Sequence, residues 1–533
     1  MQPAAAAAVL DELGQYLTAD GLSQGSIPTD RRTEILKQVV DHYFQRIAEI
    51  VAALSPDGLA QSLVARHESL IHHDATINTT LAARIACFGA ASQPAEELAR
   101  TGQQRVEAAQ ASRFLIEYVA ATPAHGQHPL TLDTYDQLLA LAAELISRAP
   151  LSDAIYYGFS DAQLAILASC RLGVSRGDRY ETGTQALAAA RAEALLRTAP
   201  QRHVAPDSSP QREKPAAEVE EAMLADFRFS LTDLGEGIGE LIALGDEHCA
   251  TEPFTIAASI VEDNLCTALN WPHDKAEAFL DRLSLRPRAA FLSVKADALP
   301  WRYNREWSYA KRPLVRIESP TGPHLIWGAR HLWTSGTYWM DLVYSGRLRG
   351  KSRPMKKLMG SIRQDHNKAF ETQAVDALKT GGCCQAARGI DKVAGRRLMS
   401  SEGHDLGDID ALGLHAAQRV IILAEAKDFE LARNPIEMAN EADALLRGDE
   451  SAQFKLGRRV QWVRQNLAST LTHFGIEGGT ASWTVLPVIV TSRDLASPRV
   501  FTSTMPVIPI DRLEDWVRTH TAQHKRRPKR RSA

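Results

Sequence analysis

Two short apolar segments in the last quarter of the chain constrain its fold more than any other feature. The first contains Asp408 and Asp410, and the second runs from Ile421 to Lys427 and contains Glu425. Both are short and rich in branched residues, which is typical of β-strands. Because side chains alternate faces along a strand, Glu425 and Lys427 point to one side, and the two aspartates also share a side. The segments therefore predict two strands that bring two or three carboxylates and one ammonium into a small volume.

Core packing does not require this arrangement, because charged groups are seldom buried unless they are paired or bind a metal. Hydrolysis of a phosphodiester does require it. Divalent cations held by carboxylates neutralise the phosphate, activate a water and stabilise the leaving oxygen. Mg²⁺ suits this chemistry because it prefers oxygen ligands and keeps several waters. The residue types therefore point to metal-assisted hydrolysis, with Mn²⁺ as a substitute for Mg²⁺.

The pattern Asp410…Glu425-x-Lys427 resembles the signature of the PD-(D/E)xK nuclease superfamily, which has the restriction-endonuclease-like fold. The resemblance covers about residues 362–510, and Ile409 stands where the family name has proline. The order of predicted elements is similar to the family's αβββαβ core: a helix at about 365–380, strands near 383–391, 406–414, 418–427 and 483–491, and helices near 435–447 and 451–474.

The resemblance implies an Mg²⁺-dependent endodeoxyribonuclease and a role for each matching residue. In the family, an acidic residue on the helix before the first core strand completes the site, and Glu371 is the matching acid here. Lys427 would orient or help to deprotonate the attacking water and would offset the carboxylate charge. The implied metal ligands are oxygen donors on or beside the two strands: Asp410, Glu425 and the Ala426 carbonyl, with Asp408 and Glu371 as further candidates.

Basic residues flank the predicted nuclease core in two places. Lys455 and Arg459 lie one turn apart on a predicted helix, and Trp462 shares their face. A basic connector directly before the core carries a second group: Arg347, Arg349, Lys351, Arg353, Lys356 and Lys357. Both groups are predicted to contact the phosphate backbone, which positions a nucleic acid without reading its bases. The alternative interpretation of each group is an ordinary solvated surface.

Composition limits the other possibilities. The net charge of −3 means that any nucleic-acid surface is local, and the chain contains no run of 18 apolar residues that would predict a membrane span. None of the six cysteines forms a C-x-x-C pair, and no signal peptide is evident, so the expectation is reduced thiols in a cytoplasmic protein. Three residues separate Gly346 from Gly350 where a P-loop has four, so no nucleotide cofactor is predicted.

The length of 533 residues predicts about three domains. Five tryptophans crowd into the middle of the chain and favour a small β-rich module in which they form the core, with stacking on unpaired bases as the alternative. The fold class predicted is multidomain. Its parts are an all-α domain (1–197), a linker (198–216), a helical segment (217–288), the aromatic β-rich module (289–345), the basic connector (346–361), the α/β nuclease-like domain (362–520) and a basic disordered tail (521–533).

The function predicted from the sequence is therefore a metal-dependent DNA nuclease in bacterial restriction, repair or defence. The helical N-terminal region would serve recognition, regulation, or contact with a protein partner or a second copy. Two alternatives remain open. One is a nucleic-acid-binding protein whose nuclease fold does not cut, and the other is a helical interaction scaffold in which the acidic motif is ordinary surface.

Overall fold

The computed structural model describes residues 2–88, 94–175, 216–248, 253–288, 305–429, 434–476 and 482–524, with the separate positions 182–183, 185–187, 189, 432 and 479–480. The chain is a mixed α/β protein that contains several small sheets. It divides into two compact units: Met1–Asp178 with Ala192–Ile362, and Arg179–Arg191 with Arg363–Ala533.

Long amphipathic helices form the first part of the first unit. Apolar residues recur every three to four positions along them, and Ile35, Val39 and Tyr43 of the second helix are fully buried. The fifth helix begins at a side-chain cap, in which the hydroxyl of Thr131 accepts a hydrogen bond from the Thr134 N–H at 3.1 Å. The helices are α1 (Pro3–Ala19), a 3-10 turn (Thr29–Arg31), α2 (Arg32–Ala53), α3 (Leu59–Phe88), α4 (Pro94–Ala121) and α5 (Leu132–Tyr156).

A small antiparallel sheet corrects the prediction that residues 1–197 are all-α. Its strands are arranged in the order β1-β2-β3. Leu164 and Ile166 are buried while their neighbour Gln163 is exposed, so the burial pattern has a strand's period of two over a stretch too short for a helix. The strands are β1 (Gly25–Ser26), β2 (Gln163–Ile166) and β3 (Leu172–Ser175).

The rest of the first unit packs helices around a four-stranded sheet of order β4-β7-β6-β5. Strands β5 and β6 are parallel and the other pairs are antiparallel. The helices are α6 (Ala217–Phe227), α7 (Leu231–His248), α8 (Ala258–Ala268), α9 (His273–Leu283) and α10 (Ala329–Tyr344). The strands are β4 (Phe254–Ala257), β5 (Ser284–Leu285), β6 (Leu314–Ile317) and β7 (His324–Trp327).

Two predictions for this region are wrong in part. The segment 217–288 supplies two strands as well as helices, and the module 289–345 ends in helix α10. Leu332, Trp339 and Val343 are buried at helical spacing, a signal that the density of aromatic residues obscured. Trp327 and Trp339 are fully buried, so these two side chains are core, whereas Trp333 is 55% exposed.

The second unit is built on a five-stranded sheet of order β14-β13-β12-β11-β8. Strand β11 is antiparallel to both β8 and β12, whereas β12, β13 and β14 are parallel. Buried apolar residues cover both faces of the sheet. The strands are β8 (Gln385–Ile390), β9 (Lys392–Val393), β10 (Arg396–Arg397), β11 (Ile409–His415), β12 (Val420–Lys427), β13 (Thr484–Thr491) and β14 (Val507–Pro509), of which β9 and β10 form a separate two-stranded sheet.

The helices of this unit begin with α11, which starts before the unit boundary. Its end is closed by Gly382, whose φ of +114° few other residues adopt, while the Cys383 N–H donates to the Leu378 carbonyl at 3.0 Å. Helices are present at the positions predicted near 435–447 and 451–474, although the second is divided into two, whereas the turns and the last two helices were not predicted. The helices and turns are α11 (Arg353–Thr380), a 3-10 turn (Ala416–Gln418), α12 (Pro435–Leu445), α13 (Ala452–Gln465), α14 (Leu467–His473), α15 (Ser497–Val500), a 3-10 turn (Ile510–Arg512) and α16 (Leu513–His524).

Several predictions fall wholly or partly outside the described residues. They concern positions 198–215 of the linker, 289–304 of the aromatic module and 525–533 of the basic tail. Residues 521–524 of the predicted disordered tail belong to α16, and residues 353–361 of the basic connector belong to α11. Within the ranges described, no helix combines the length and the apolar character that crossing a membrane requires.

Candidate functional site

The charged cluster predicted from the sequence lies where β11 and β12 run side by side. Ala411 and Ala424 are partners in the antiparallel register, which brings Asp410 and Glu425, the next positions on each strand, alongside one another. On its other side β12 pairs with β13 in parallel, so the cluster lies within the sheet and not at its edge. Sheet pairing therefore positions the two carboxylates.

The three side chains of the predicted motif contact one another. The Lys427 Nζ lies 2.8 Å from the Glu425 Oε1 and 3.6 Å from the Asp410 Oδ2. Asp410 also accepts a hydrogen bond from the Ala426 N–H at 2.8 Å. Glu425 is 2% exposed and Asp410 is 8% exposed, whereas about a third of the Lys427 side chain reaches solvent. The ammonium is thus the accessible member of a buried group.

Burial controls the protonation of this group. It raises the pKa of the Asp410 carboxyl to about 7, and the negative charge of Glu425 acts in the same direction. Burial disfavours the charged form of Lys427, but the charges of Glu425 and Asp410 outweigh it and raise the pKa of the lysine. The cluster therefore holds a charged ammonium beside a carboxylate that resists ionisation, and any added positive charge would favour that ionisation.

Arg459 is the fourth member of the cluster, and its position corrects a prediction. It was expected on an exposed basic face with Lys455, yet it is 6% exposed. Its guanidinium forms an ion pair with Glu425, and its Nε donates to the Leu406 carbonyl at 2.9 Å. Helical spacing shows which residues share a face, but it does not show which face packs on the sheet. Arg459 therefore supports the buried carboxylate and is not a surface contact.

Glu371 and Asp408 lie at the border of the cluster. Glu371 is half-buried on α11, and burial raises the pKa of its carboxyl, with a further contribution from the charge of Asp408. The charge of Lys427 opposes that shift, which places Glu371 within electrostatic range of the cluster. Asp408 is exposed and lies just before β11 begins. The structure therefore brings both predicted acids towards the site without making either a direct partner of Lys427.

The oxygen donors offer a limited set of metal ligands. In the described part of the chain, no group of three or more His, Cys, Asp and Glu side chains has the geometry to hold a metal ion. The candidates for a shared cation are the two carboxylates of Asp410 and Glu425. Mg²⁺ is often bound through one or two carboxylates and completes its shell with waters and substrate phosphates, so two suffice for that ion.

The basic residues predicted to contact phosphate lie on surfaces in both units. Lys455, on α13, is 41% exposed and pairs with Glu450 at 2.7 Å. Five connector residues are exposed and belong to the first unit: Arg349, Lys351, Arg353, Lys356 and Lys357. Arg347 is half-buried. Apart from Arg459, these predicted contacts are accessible or partly accessible.

The fold and the cluster define a two-unit α/β protein with paired acidic and basic side chains buried in the sheet of its second unit. Residues 5–487 match the family model described as "Anti-phage protein Upx-like". Because this match covers most of the chain, the protein belongs to the Upx-like anti-phage family. Neither a curated protein nor a solved structure matches the chain.

Proposed function

We propose that this protein is an Mg²⁺-dependent endodeoxyribonuclease of the restriction-endonuclease-like class that acts in defence against phage. The observation that carries the proposal is the meeting of Asp410, Glu425 and Lys427 on two adjoining strands. The order of helices and strands around them supports it. The family description supports a defence role, and it leaves the chemistry to be argued from the site.

Mg²⁺ fits the donor set for a reason that the structure supplies. Burial first, and the charge of Glu425 second, raise the pKa of Asp410, and a cation between the two carboxylates would favour the ionised form of both. Asp410 and Glu425 would hold the ion, with the Ala426 carbonyl and Glu371 as further ligands, directly or through water. When bound, the ion would supply positive charge to the phosphate and acidify a water.

The side chains would divide the remaining work among them. The Lys427 ammonium, the exposed member of the cluster, would donate a hydrogen bond to the attacking water or to a phosphate oxygen and so orient it. Arg459 would keep the Glu425 carboxylate in place from the buried side. Lys455 and the connector residues would position the DNA through its backbone, so they would not determine its sequence preference.

Cleavage of plasmid and oligonucleotide DNA with Mg²⁺ or Mn²⁺ tests the proposal. Wild type is compared with Asp410→Asn and Lys427→Met, which keep the approximate size of each side chain. Lys392→Gln, an exposed lysine on β9, is the matched control. We expect metal-dependent cutting by wild type and the control, and a loss of about a hundredfold or more in the two site variants, since removing one preorganised group that stabilises transition-state charge costs about 10²–10³-fold.

Circular dichroism of each variant separates loss of chemistry from loss of fold. Cutting that persists in folded Asp410→Asn and Lys427→Met would show that the active site lies elsewhere. Absence of cutting by wild type on double-stranded DNA, single-stranded DNA and RNA, with and without metal, would contradict the nuclease proposal.

A second candidate function is nucleic-acid binding without cleavage. It is favoured by the pairing of Glu425 with two cations, Lys427 and Arg459, which satisfies the carboxylate without any metal. On this proposal Mg²⁺ would neither stabilise the second unit nor change the affinity for DNA. Thermal unfolding with and without Mg²⁺ distinguishes the two functions, because a ligand that binds only the folded state raises the unfolding temperature.

A further inference from the structure

The first unit contains a second charged cluster. Its centre is Lys311, which is 1% exposed. Among the described residues, its ammonium makes no hydrogen bond and no close ion pair. The backbone around it is fixed, because the Trp339 indole N–H donates to the Lys311 carbonyl at 3.0 Å, and the Lys311 N–H donates to the Ser308 carbonyl at 2.9 Å. An unpaired buried ammonium is costly and calls for a counter-ion.

The surroundings of Lys311 are dominated by cations. Arg282, Arg312 and Arg349 are all close enough for their charges to oppose its protonation, and Glu306 is the one nearby anion whose charge favours it. Glu306 is shared, since it forms ion pairs with both Arg282 and Arg312. Asp281 also favours the charged form of Arg312, but its close ion pair is with Arg286, so basic side chains still outnumber carboxylates around Lys311.

Aromatic rings and backbone carbonyls fix two of the arginines. The Arg282 guanidinium lies 4.6 Å from the ring centre of Phe227 and 5.3 Å from that of Trp339. Arg312 donates to the carbonyls of Asp281 and Ser284 at 2.8 and 3.1 Å. Both side chains are therefore held by contacts other than their ion pairs with Glu306. The packing of the folded chain therefore holds both guanidinium charges in the cluster.

We propose that this cluster binds the phosphate group of a small molecule, with Arg282, Lys311 and Arg349 as contacts and Glu306 as the internal anion that the phosphate displaces. A doubly charged oxyanion matches an excess of several cations better than a single carboxylate does, and arginine forks suit phosphate geometry. The Glu306 side chain is 36% exposed, so the phosphate would take the place of its carboxylate from the solvent side. Because Lys311 is 1% exposed, a compact oxyanion suits the cluster better than a polymer backbone does.

Isothermal titration calorimetry of the full chain with inorganic phosphate at pH 7 tests the proposal through variants of opposite sign. Glu306→Gln removes the competing carboxylate and should raise the affinity about tenfold. Arg349→Gln removes an exposed contact and should lower it about tenfold, a change typical of losing one charge-assisted hydrogen bond. Lys351→Gln, an exposed cation two residues on, is the matched control and should change the affinity less than about twofold, as for a solvated surface charge.

The pH dependence of sulfate binding gives a second readout, because sulfate keeps its charge over this range. Burial, with the charges of the three arginines, lowers the pKa of Lys311 to about 7 against the opposing effect of Glu306. The affinity for sulfate should therefore fall as the pH rises from 6 to 8.5, and Lys311→Met should abolish that fall. Absence of phosphate binding by both wild type and Glu306→Gln, or equal affinities in wild type and Arg349→Gln, would overturn the proposal. Displacement of bound phosphate by an oligonucleotide without terminal phosphates would also overturn it, because the ligand would then be a nucleic-acid backbone.

Discussion

Arg459 and Glu425 form a buried ion pair that joins α13 to β12 across 34 positions of sequence. Glu425 also contacts Lys427, so two cations surround one carboxylate that is 2% exposed. Removing one partner of a buried pair is costly, because the remaining charge has lost its solvent and part of its compensation. The cluster therefore depends on a residue that lies outside the strand motif.

Substitution of Arg459 should show this dependence. We expect Arg459→Met to lower the free energy of unfolding of the second unit by about 3–5 kcal/mol, because it leaves a buried carboxylate with one cation fewer. Urea denaturation measures the change. Arg458→Met alters the neighbouring, less buried arginine and should cost about 0.5 kcal/mol or less. Equal effects of the two substitutions would show that the ion pair contributes nothing specific.

Asp410 should make stability depend on pH. Its folded-state pKa of about 7 lies above the ordinary value, so the folded state favours the protonated carboxyl. The stability that this gives is fully present below about pH 4 and is lost as the pH rises through 7. Asp410→Asn cannot ionise and should gain about 3–4 kcal/mol relative to wild type between pH 4 and pH 8. Urea denaturation at several pH values tests this, with Asp391→Asn, an exposed aspartate, as the control. Parallel pH profiles for wild type and Asp410→Asn would contradict it.

Replacing His67 with an apolar aromatic residue should increase the stability of the first unit. It is fully buried against Tyr309 and His331, with ring centres 5.5 and 4.9 Å away, and within the described structure neither of its ring nitrogens has a hydrogen-bond partner. We expect His67→Phe to raise the free energy of unfolding of the first unit by about 1–2 kcal/mol at pH 7, since two unsatisfied polar atoms are removed. His72→Phe, at an exposed position of the same helix, should change it by less than about 0.5 kcal/mol.

The same substitution should reduce sensitivity to acid. Burial lowers the pKa of His67 well below its usual range and that of His331 to about 3. A lowered pKa in the folded state gives stability that is present above about pH 6.5 and is lost as the pH falls towards the folded value. His67→Phe should therefore unfold at a lower pH than wild type does. A wild-type midpoint equal to or lower than that of the variant would argue against the buried neutral imidazole.

Lys455 should contribute to DNA binding and little to folding. Its ion pair with Glu450 is exposed on both sides, and such pairs contribute about 0–1 kcal/mol. Lys455→Gln should therefore leave the unfolding temperature nearly unchanged while it weakens DNA binding and reduces the salt slope of the affinity by about one. Fluorescence anisotropy at several salt concentrations measures that slope. Lys379→Gln, exposed on α11, is the control, and an identical slope in the two variants would exclude Lys455 as a phosphate contact.

Strands β8, β11, β12 and β13 and the grouping of Asp410, Glu425 and Lys427 could be predicted because they follow from local rules, whereas β9, β10 and β14 are too short to show a pattern. Apolar branched residues indicated β11 and β12, and alternation along a strand indicated which side chains share a face. The assignment to a nuclease superfamily rests on the same motif and stays a prediction. The metal, the DNA substrate and the catalytic roles of the residues are also predictions that require experiments.

Two features could not be found by the same rules. One is the ion pair of Arg459 with Glu425, and the other is the helix at Ala329–Tyr344. Arg459 and Lys455 share a helical spacing, yet tertiary packing turns one inward and leaves the other in solvent. Trp339 belongs to a segment whose aromatic content favours strands, although its buried residues repeat with a helical period. The cluster around Lys311 gathers residues from separate parts of the chain, which no local pattern relates.

The hairpin formed by β11 and β12 also bears on how the chain folds. A short turn at Ala416–Gln418 connects the strands, so Asp410, Glu425 and Lys427 can meet after the closure of one short loop, which costs little entropy and takes on the order of microseconds. Strand β13 and Arg459 arrive from distant sequence and must close longer loops. The β11–β12 hairpin, which carries Asp410 and Glu425, is thus one of the first parts of the sheet that the chain can form. Strand β13 and Arg459 would then pack against charged side chains that are already in contact.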